Sequence, residues 1–482
     1  MSVSRVFPAR PWAPDVAVVV AATMLAAGVG LLAARSAMLA VEACAALIVV
    51  PLAVARPRWL SVVLVVSTFA GTFTVAGLTA QRFVAPLALL GMAACLIRRP
   101  IGVSLDRVAA AAIGGYAVMA FSSLLWSVDT AGTLFELASL GISLVYVAAL
   151  LVLVQEEHDL RLVLWSVAVC AAVLGTWWIL SFALGVDRRF NLAGDPNFFA
   201  ALEVVSLPLV LALARATPGR VARGFLYLTV FLIAASVVAS LSRGGLLSLG
   251  VAVALLLLVP ARFLFRSARH KAVVIALALT GLGVLGVITG PELGHRFEAT
   301  FNDPGVAAGR GDLALAALHG YSAHPVLGLG FGAFKPASFD LLRTTPGVDL
   351  PAHLNCLEAG QTIRGAAGCT GQQVHNAYLE SLAELGPLGL ALFAAVLGAT
   401  LWSLVGSVRA SADRPLSGVS GTPAVAAGLA VAVICIAVSS FSISTETSRA
   451  LWLLVGLALV VFRFRIAAHP PPPIMGPQIG WA

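Results

Sequence analysis

The chain has 482 residues, of which 60% are hydrophobic and 11% charged, with a mean hydropathy of +0.98 and a formal net charge of +8. A soluble globular protein carries about 25% charged residues, and this chain has too few polar groups to cover a water-facing surface of its size; a soluble enzyme with a large catalytic domain is excluded. The positive charge reads as the basic cytoplasmic loops of a membrane protein rather than as a nucleic-acid footprint.

At roughly 20 apolar residues per crossing, the apolar runs predict about 14 helices. They fall at 15–34, 37–55, 59–80, 83–97, 107–126, 133–154, 161–184, 196–214, 224–241, 244–260, 271–290, 376–404, 421–443 and 447–462. The first run follows Arg5 and Arg10 and reads as a retained signal anchor. With the N-terminus in the cytoplasm, 19 of the 30 basic residues fall on the inner side, including the dense Arg262, Arg266, Arg269 and Lys271 cluster. Reversing the chain would put that cluster outside, against the positive-inside trend, so both termini are expected in the cytoplasm. The expected organisation is membrane helices over 1–290, an extracytoplasmic loop over 291–375, membrane helices over 376–465 and a disordered proline-rich tail over 466–482. The long loop holds apolar residues at helical spacing (Leu313, Ala316, Ala317, Tyr321) among glycine-rich turns, and predicts a small folded lid. Cys44, Cys95, Cys170 and Cys435 lie in apolar runs and read as small core residues. Cys356 and Cys369 share the outer loop, where an oxidising compartment would favour a disulfide between them.

Charges are scarce, so each one on the outer side asks for a reason. Ser240-Leu241-Ser242-Arg243-Gly244-Gly245 forms a tight outer turn. Its glycines permit close backbone approach, and Arg243 offers a forked cation suited to phosphate; an arginine snorkelling to headgroups is the bland alternative. Arg188 and Arg189 break the positive-inside trend just before Asp195-Pro196-Asn197, which reads as a helix N-cap followed by proline at the first helical position. Arg310, in Gly309-Arg310-Gly311-Asp312, is a further candidate anion ligand. His319 and His324, five apart, are poorly spaced for a shared metal, and no metal site is expected. His375 stands at the mouth of the 376–404 helix, followed by Asn376 and by Glu380 and Glu384 on one helical face, with Pro387 predicting a kink. A histidine there could serve as a general base or as a plain helix cap.

The segments SLSRGG, AGRGD…HPVLGLGFGAF and HNAYLESLAELGPLGL, in this order and separation, resemble the O-antigen ligase and O-antigen polymerase superfamily. RALWLLVGL at Arg449–Leu457 is similar to that family's last helix. The likeness covers about 190 to 460, and the first 180 residues match in topology alone. It implies an all-α, GT-C-like bundle of 12–14 transmembrane helices in a bacterial plasma membrane, one large extracytoplasmic loop, and inverting transfer of a glycan from a polyprenyl-diphosphate carrier to a glycan, lipid or protein acceptor. No cofactor, metal or nucleic acid is implied. The family's essential arginines and histidine fall on Arg243, Arg310 and His375. By that likeness, Arg243 and Arg310 would hold the diphosphate, with Arg189 and Arg82 assisting and Asn197 lining the site. His375 would orient or deprotonate the acceptor hydroxyl, held by Asn376 and Glu380.

A transporter or flippase for lipid-linked glycans would also need outer arginines and a groove for the tail, but not a His-Asn mouth under a folded lid; such proteins often show two similar halves, and none is found here. A peptidoglycan glycosyltransferase of the shape, elongation and division type shares the architecture but not the motifs. Ligase and polymerase both fit the residues.

Overall fold

The computed structural model describes residues 55–468 except 72–73, 76–77, 99–103, 187–194, much of 277–303, 349–370 and 413–421. The two N-terminal runs, Arg189 and the Cys356–Cys369 pair therefore lie outside the described residues. The regular structure of the described residues is helical apart from one two-residue antiparallel ladder, in which Thr74–Val75 pairs with Leu78–Thr79. Among the described residues, eight helices are long and apolar enough to cross a membrane, and Arg58–Phe69 and Arg243–Leu258 are shorter apolar helices.

The helices are α1 (Arg58–Phe69), α2 (Ala80–Arg98), α3 (Arg107–Ser122), α4 (Thr130–Leu153), α5 (Glu157–Ala183), α6 (Pro196–Ala216), α7 (Arg220–Ala239) and α8 (Arg243–Leu258). After the short α9 (Ala261–Leu264) come α10 (Pro304–Ala323) and α11 (Phe334–Thr344) of the lid segment, then α12 (Ala377–Ala412), α13 (Thr422–Ser439) and α14 (Arg449–Ala468). Their starts follow local capping chemistry. Asp106 accepts from Val108 and Ala109 N–H, Asp129 from Gly132 N–H, and Glu156 with Asp159 forms a capping box. The 59–80 run departs from a single helix: α1 ends at Phe69 and the ladder follows. The sequence after Phe69 is rich in Gly, Thr and Val, residues that favour turns and extended backbone. The side chain of Gln81 closes that corner by donating to Ser67 O at 3.2 Å.

The most buried helix is α6, packed against α5, α7, α8 and α13, while α14 lies along α4. Helix polarity sorts the two ends of the bundle. At one end α6, α8, α12 and α14 begin and α13 stops, and cross-links tie this end together: Ser242 Oγ donates to Asn197 Oδ1 at 2.7 Å, and Ala377 N–H at the start of α12 to Ser440 O after α13 at 2.8 Å. At the other end α4 stops beside the end of α14, where the Arg463 guanidinium donates to Leu151 O at 2.6 Å and to Val154 O.

The lid segment has a small apolar core of its own, in which Leu313, Ala316 and Ala317 of α10 meet Phe334, Phe339 and Leu342 of α11. It docks where α12 breaks. Gly386 has φ +67 and ψ −169, and Pro387 has no N–H, so the carbonyl of Ala383 loses its intrahelical donor. The lid supplies the replacement: Leu329 N–H donates to Ala383 O at 2.9 Å and Gly330 N–H to Glu384 O at 2.8 Å. On its other side the same stretch meets the α3–α4 connection, through Val128 N–H to Leu329 O at 2.9 Å and Phe331 N–H to Ser123 Oγ at 3.0 Å. Gly328, Gly330 and Gly332 have φ of +71, +105 and +73, and a Cβ at each would collide with Glu384, Ser127 and Glu136 respectively. The three glycines thus serve close packing on three different neighbours.

Candidate active site

At the end where α6, α8, α12 and α14 begin, the structure gathers a cationic group from three segments. Arg243 is the first residue of α8, capped by Ser242, whose Oγ accepts from Gly245 N–H at 3.0 Å. The preceding Leu241 has φ +54, an unusual backbone for a leucine, and the turn is pressed so close to its neighbours that a Cβ on Gly244 or Gly245 would strike Ser442 or Ala200. Arg310 comes from α10. It remains exposed by surface area, yet enough protein surrounds its head that burial, followed by the neighbouring Arg243, lowers its pKa, while Asp195 opposes. It stays a cation throughout the working range. His375 sits where the lid segment rejoins the bundle, between buried Val374 and the start of α12.

His375 also has a positive φ, +56, and its Nδ1 is buried with no hydrogen-bond partner among the described residues. Burial, and after it the Arg310 cation, push its pKa below the ordinary histidine value of 6.5, with Asp195 again opposing. The imidazole is therefore neutral at pH 7. Asp195 caps α6 through Oδ1, accepting from Asn197 N–H at 2.7 Å and Phe198 N–H at 3.2 Å, and it is the acidic group that both Arg310 and His375 sense. Asn197 holds the α8 turn through Ser242, and Asn376 Oδ1 caps α12 by accepting from Tyr378 and Leu379 N–H, both at 3.1 Å.

Two expected residues belong to a second, carboxylate-rich group instead. Glu380 accepts from Ser444 Oγ and lines a chamber of about 20 Å³, room for about one water, with Glu136, Lys335, Gln373, Glu384 and Glu446. Glu384 anchors the lid, accepting from Gly332 N–H at 2.7 Å and Phe334 N–H at 3.1 Å at the start of α11. Burial, then Glu380, drives the Glu446 carboxyl well above the usual range, and its Oε1 has no partner among the described residues. Arg82 stacks its guanidinium over the Phe135 ring at 4.7 Å, beside Glu136 and Arg449. The arrangement thus brings Arg243, Arg310, His375 and Asn197 together, gives Asn376 a capping role, and places Arg82 and Glu380 in the neighbouring group.

Sequence reasoning missed Glu136, Lys335, Gln373 and Glu446, and it missed Glu203, which is fully buried in α6 with both carboxylate oxygens unpartnered among the described residues. The available signal was an acid inside an apolar run, which marks Glu136 and Glu203.

Residues 228–394, the stretch that supplies Arg243, Arg310, His375 and the broken α12, match a family model described as O-antigen ligase. The match covers about a third of the chain and makes that stretch similar to the O-antigen ligase family. Together with the eight helices of membrane-crossing length among the described residues, this match supports a multi-pass membrane protein of the glycan-transferring, O-antigen ligase type. No curated protein matches it.

Proposed function

We propose that the protein transfers a glycan from a polyprenyl-diphosphate carrier to an acceptor hydroxyl at the extracytoplasmic face of a bacterial plasma membrane. The observation that carries this reading is the convergence of Arg243, Arg310 and a neutral, half-buried His375 where several helices begin. Helix N-termini and two guanidiniums favour an anion, and their attraction grows as the diphosphate takes on charge in the transition state. The acceptor oxygen attacks the anomeric carbon as the bond from that carbon to the diphosphate oxygen breaks. The bonding pair leaves with the diphosphate, and the acceptor proton passes to His375. Attack opposite the leaving group inverts the anomeric configuration.

Arg310 and His375 belong to the lid side of the site and Arg243 to the bundle, so a docked lid completes the site. The test is glycan transfer by the purified protein in lipid nanodiscs with a polyprenyl-diphosphate-linked donor. His375→Ala and Arg310→Ala should lose transfer by at least about 100-fold while melting as the wild type does. Wild-type turnover in either variant would sink the assignment.

A further inference from the structure

Beside the cationic group lies a cavity of about 300 Å³ that the steps above do not involve. Its walls include Gln81, Asp195, Phe198, Phe199, Gln373 and Arg449. It shares Asp195 with the Arg310–His375 neighbourhood and Gln373 with the carboxylate chamber, so it adjoins the reacting end of the bound donor. The volume is at the lower limit of small-molecule pockets, about 300 Å³, which suits one sugar ring and is too small for a polyprenyl tail.

The chemistry of the walls narrows the ligand. Gln81 is nearly fully buried and its amide is held by donation to Ser67 O. Hydroxyls come from Ser444, Thr447 and Ser448. Phe199 is fixed by stacking on Trp178, with ring centroids 4.2 Å apart and planes at 11°, and such aromatic surface suits the C–H face of a pyranose. Arg449 donates through Nη1 to Thr447 O at 3.0 Å, but its Nε is buried with no partner among the described residues, a donor that requires an acceptor. Asp195 spends one carboxylate oxygen on its two cap bonds, leaving acceptor capacity for a ligand hydroxyl. A carboxylate in the wall disfavours an anionic ligand, whereas a hydroxyl can donate to Asp195 and accept from Arg449.

We infer that this cavity is the subsite for one neutral sugar ring of the transferred glycan, held between Asp195 and Arg449. The inference rests on the glycan-transfer reading and specifies which part of the donor sits there. The test is ligand-observed saturation-transfer NMR on the full-length protein in nanodiscs. The probes are methyl glucoside, methyl galactoside, methyl N-acetylglucosaminide and sodium glucuronate.

At least one neutral glycoside should show transfer. Arg449→Gln should weaken it about tenfold, as expected for one lost charged hydrogen bond. Ser448→Phe, which fills the cavity, should abolish the signal while inorganic pyrophosphate still raises the melting temperature; Gln373→Ala replaces it if that variant does not fold. No signal from any neutral glycoside, a signal unchanged by these substitutions, or binding of glucuronate alone would overturn the inference. Because the readout is sugar binding, its failure leaves the transfer assay standing. Sugar binding in a protein that transfers nothing would instead retain the cavity and discard the reaction.

Discussion

The cations at the two ends of the bundle have opposite meanings. At one end Arg463 donates to the last carbonyls of α4, and Lys271 Nζ donates to Leu257 O at 2.6 Å and Val259 O at 2.7 Å at the end of α8. These cations complete helix C-termini, where the macrodipole is negative, and their electrostatics are satisfied within the protein. At the opposite end Arg243 is the first residue of α8, where the dipole is positive and a cation is disfavoured. Arg310 joins Arg243 there and the two repel. An arginine at a helix end is thus a structural cap or an anion trap according to the direction of the helix, and composition alone does not distinguish them.

The sharpest way to break this comparison is to remove one arginine from each end. Arg243→Ala should reduce glycan transfer by about 100- to 1,000-fold, the size of a lost oxyanion donor, with a smaller loss of melting temperature than Arg463→Ala. Arg463→Ala should do the reverse, keeping turnover near wild type while losing stability by about 1–3 kcal/mol for each carbonyl left unsatisfied. If Arg243→Ala melts as Arg463→Ala does, the two ends do not differ in kind.

Gly328→Ala should come next in size. Its φ of +71 and the Glu384 backbone against it leave no room for a methyl group. Hydrogen exchange should speed at the amides of Leu329, Gly330 and Gly332, which bind α12, and transfer should fall with lid docking. Unchanged exchange at those amides would show that the glycine triplet does not hold the lid.

Inorganic pyrophosphate should raise the melting temperature of the wild type, by less at high salt. It should fail to do so in Arg243→Ala yet still stabilise Arg463→Ala.

The smallest effect is in the pH profile. If a neutral His375 is required, transfer rises with pH through the histidine's pKa and is flat around neutrality, and the acid midpoint lies below 6.5 because burial and Arg310 disfavour the imidazolium. Asp195→Asn preserves the α6 cap chemistry but removes the opposing charge, so it should move the midpoint lower still. A midpoint that rises would refute the placement of Asp195 near His375.

Much of the frame was legible in the sequence. Apolar runs located several of the described helices to within a few residues, as in 196–214 for Pro196–Ala216 and 244–260 for Arg243–Leu258, whereas the 59–80 run overshot Arg58–Phe69. The Asp195-Pro196 start and the Pro387 break are local chemistry, read from neighbouring residues. Glu384 was legible as an acid on the face of α12 but not as the anchor for Gly332 and Phe334, because those partners are about 50 residues away and no spacing rule connects them. Gln373 was invisible for the same reason: an isolated glutamine in a loop carries no pattern, and the cavity it lines exists only once α6, α12 and α14 begin side by side.

What the sequence by itself determined is that this chain lives in a bilayer, roughly where its helices run, and which few charged residues stand in polar turns between them. Those properties follow from hydropathy, period and capping, each set by residues within a turn or two of one another. The tertiary structure alone decided which charges share a site: the broken α12 accepts the lid's N–H groups, and that docking brings Arg310 and His375 to Arg243 while turning Glu380 toward Ser444. Electrostatic coupling depends on distance in space, and the chain separates these partners by 64 or more positions until the fold closes the gap.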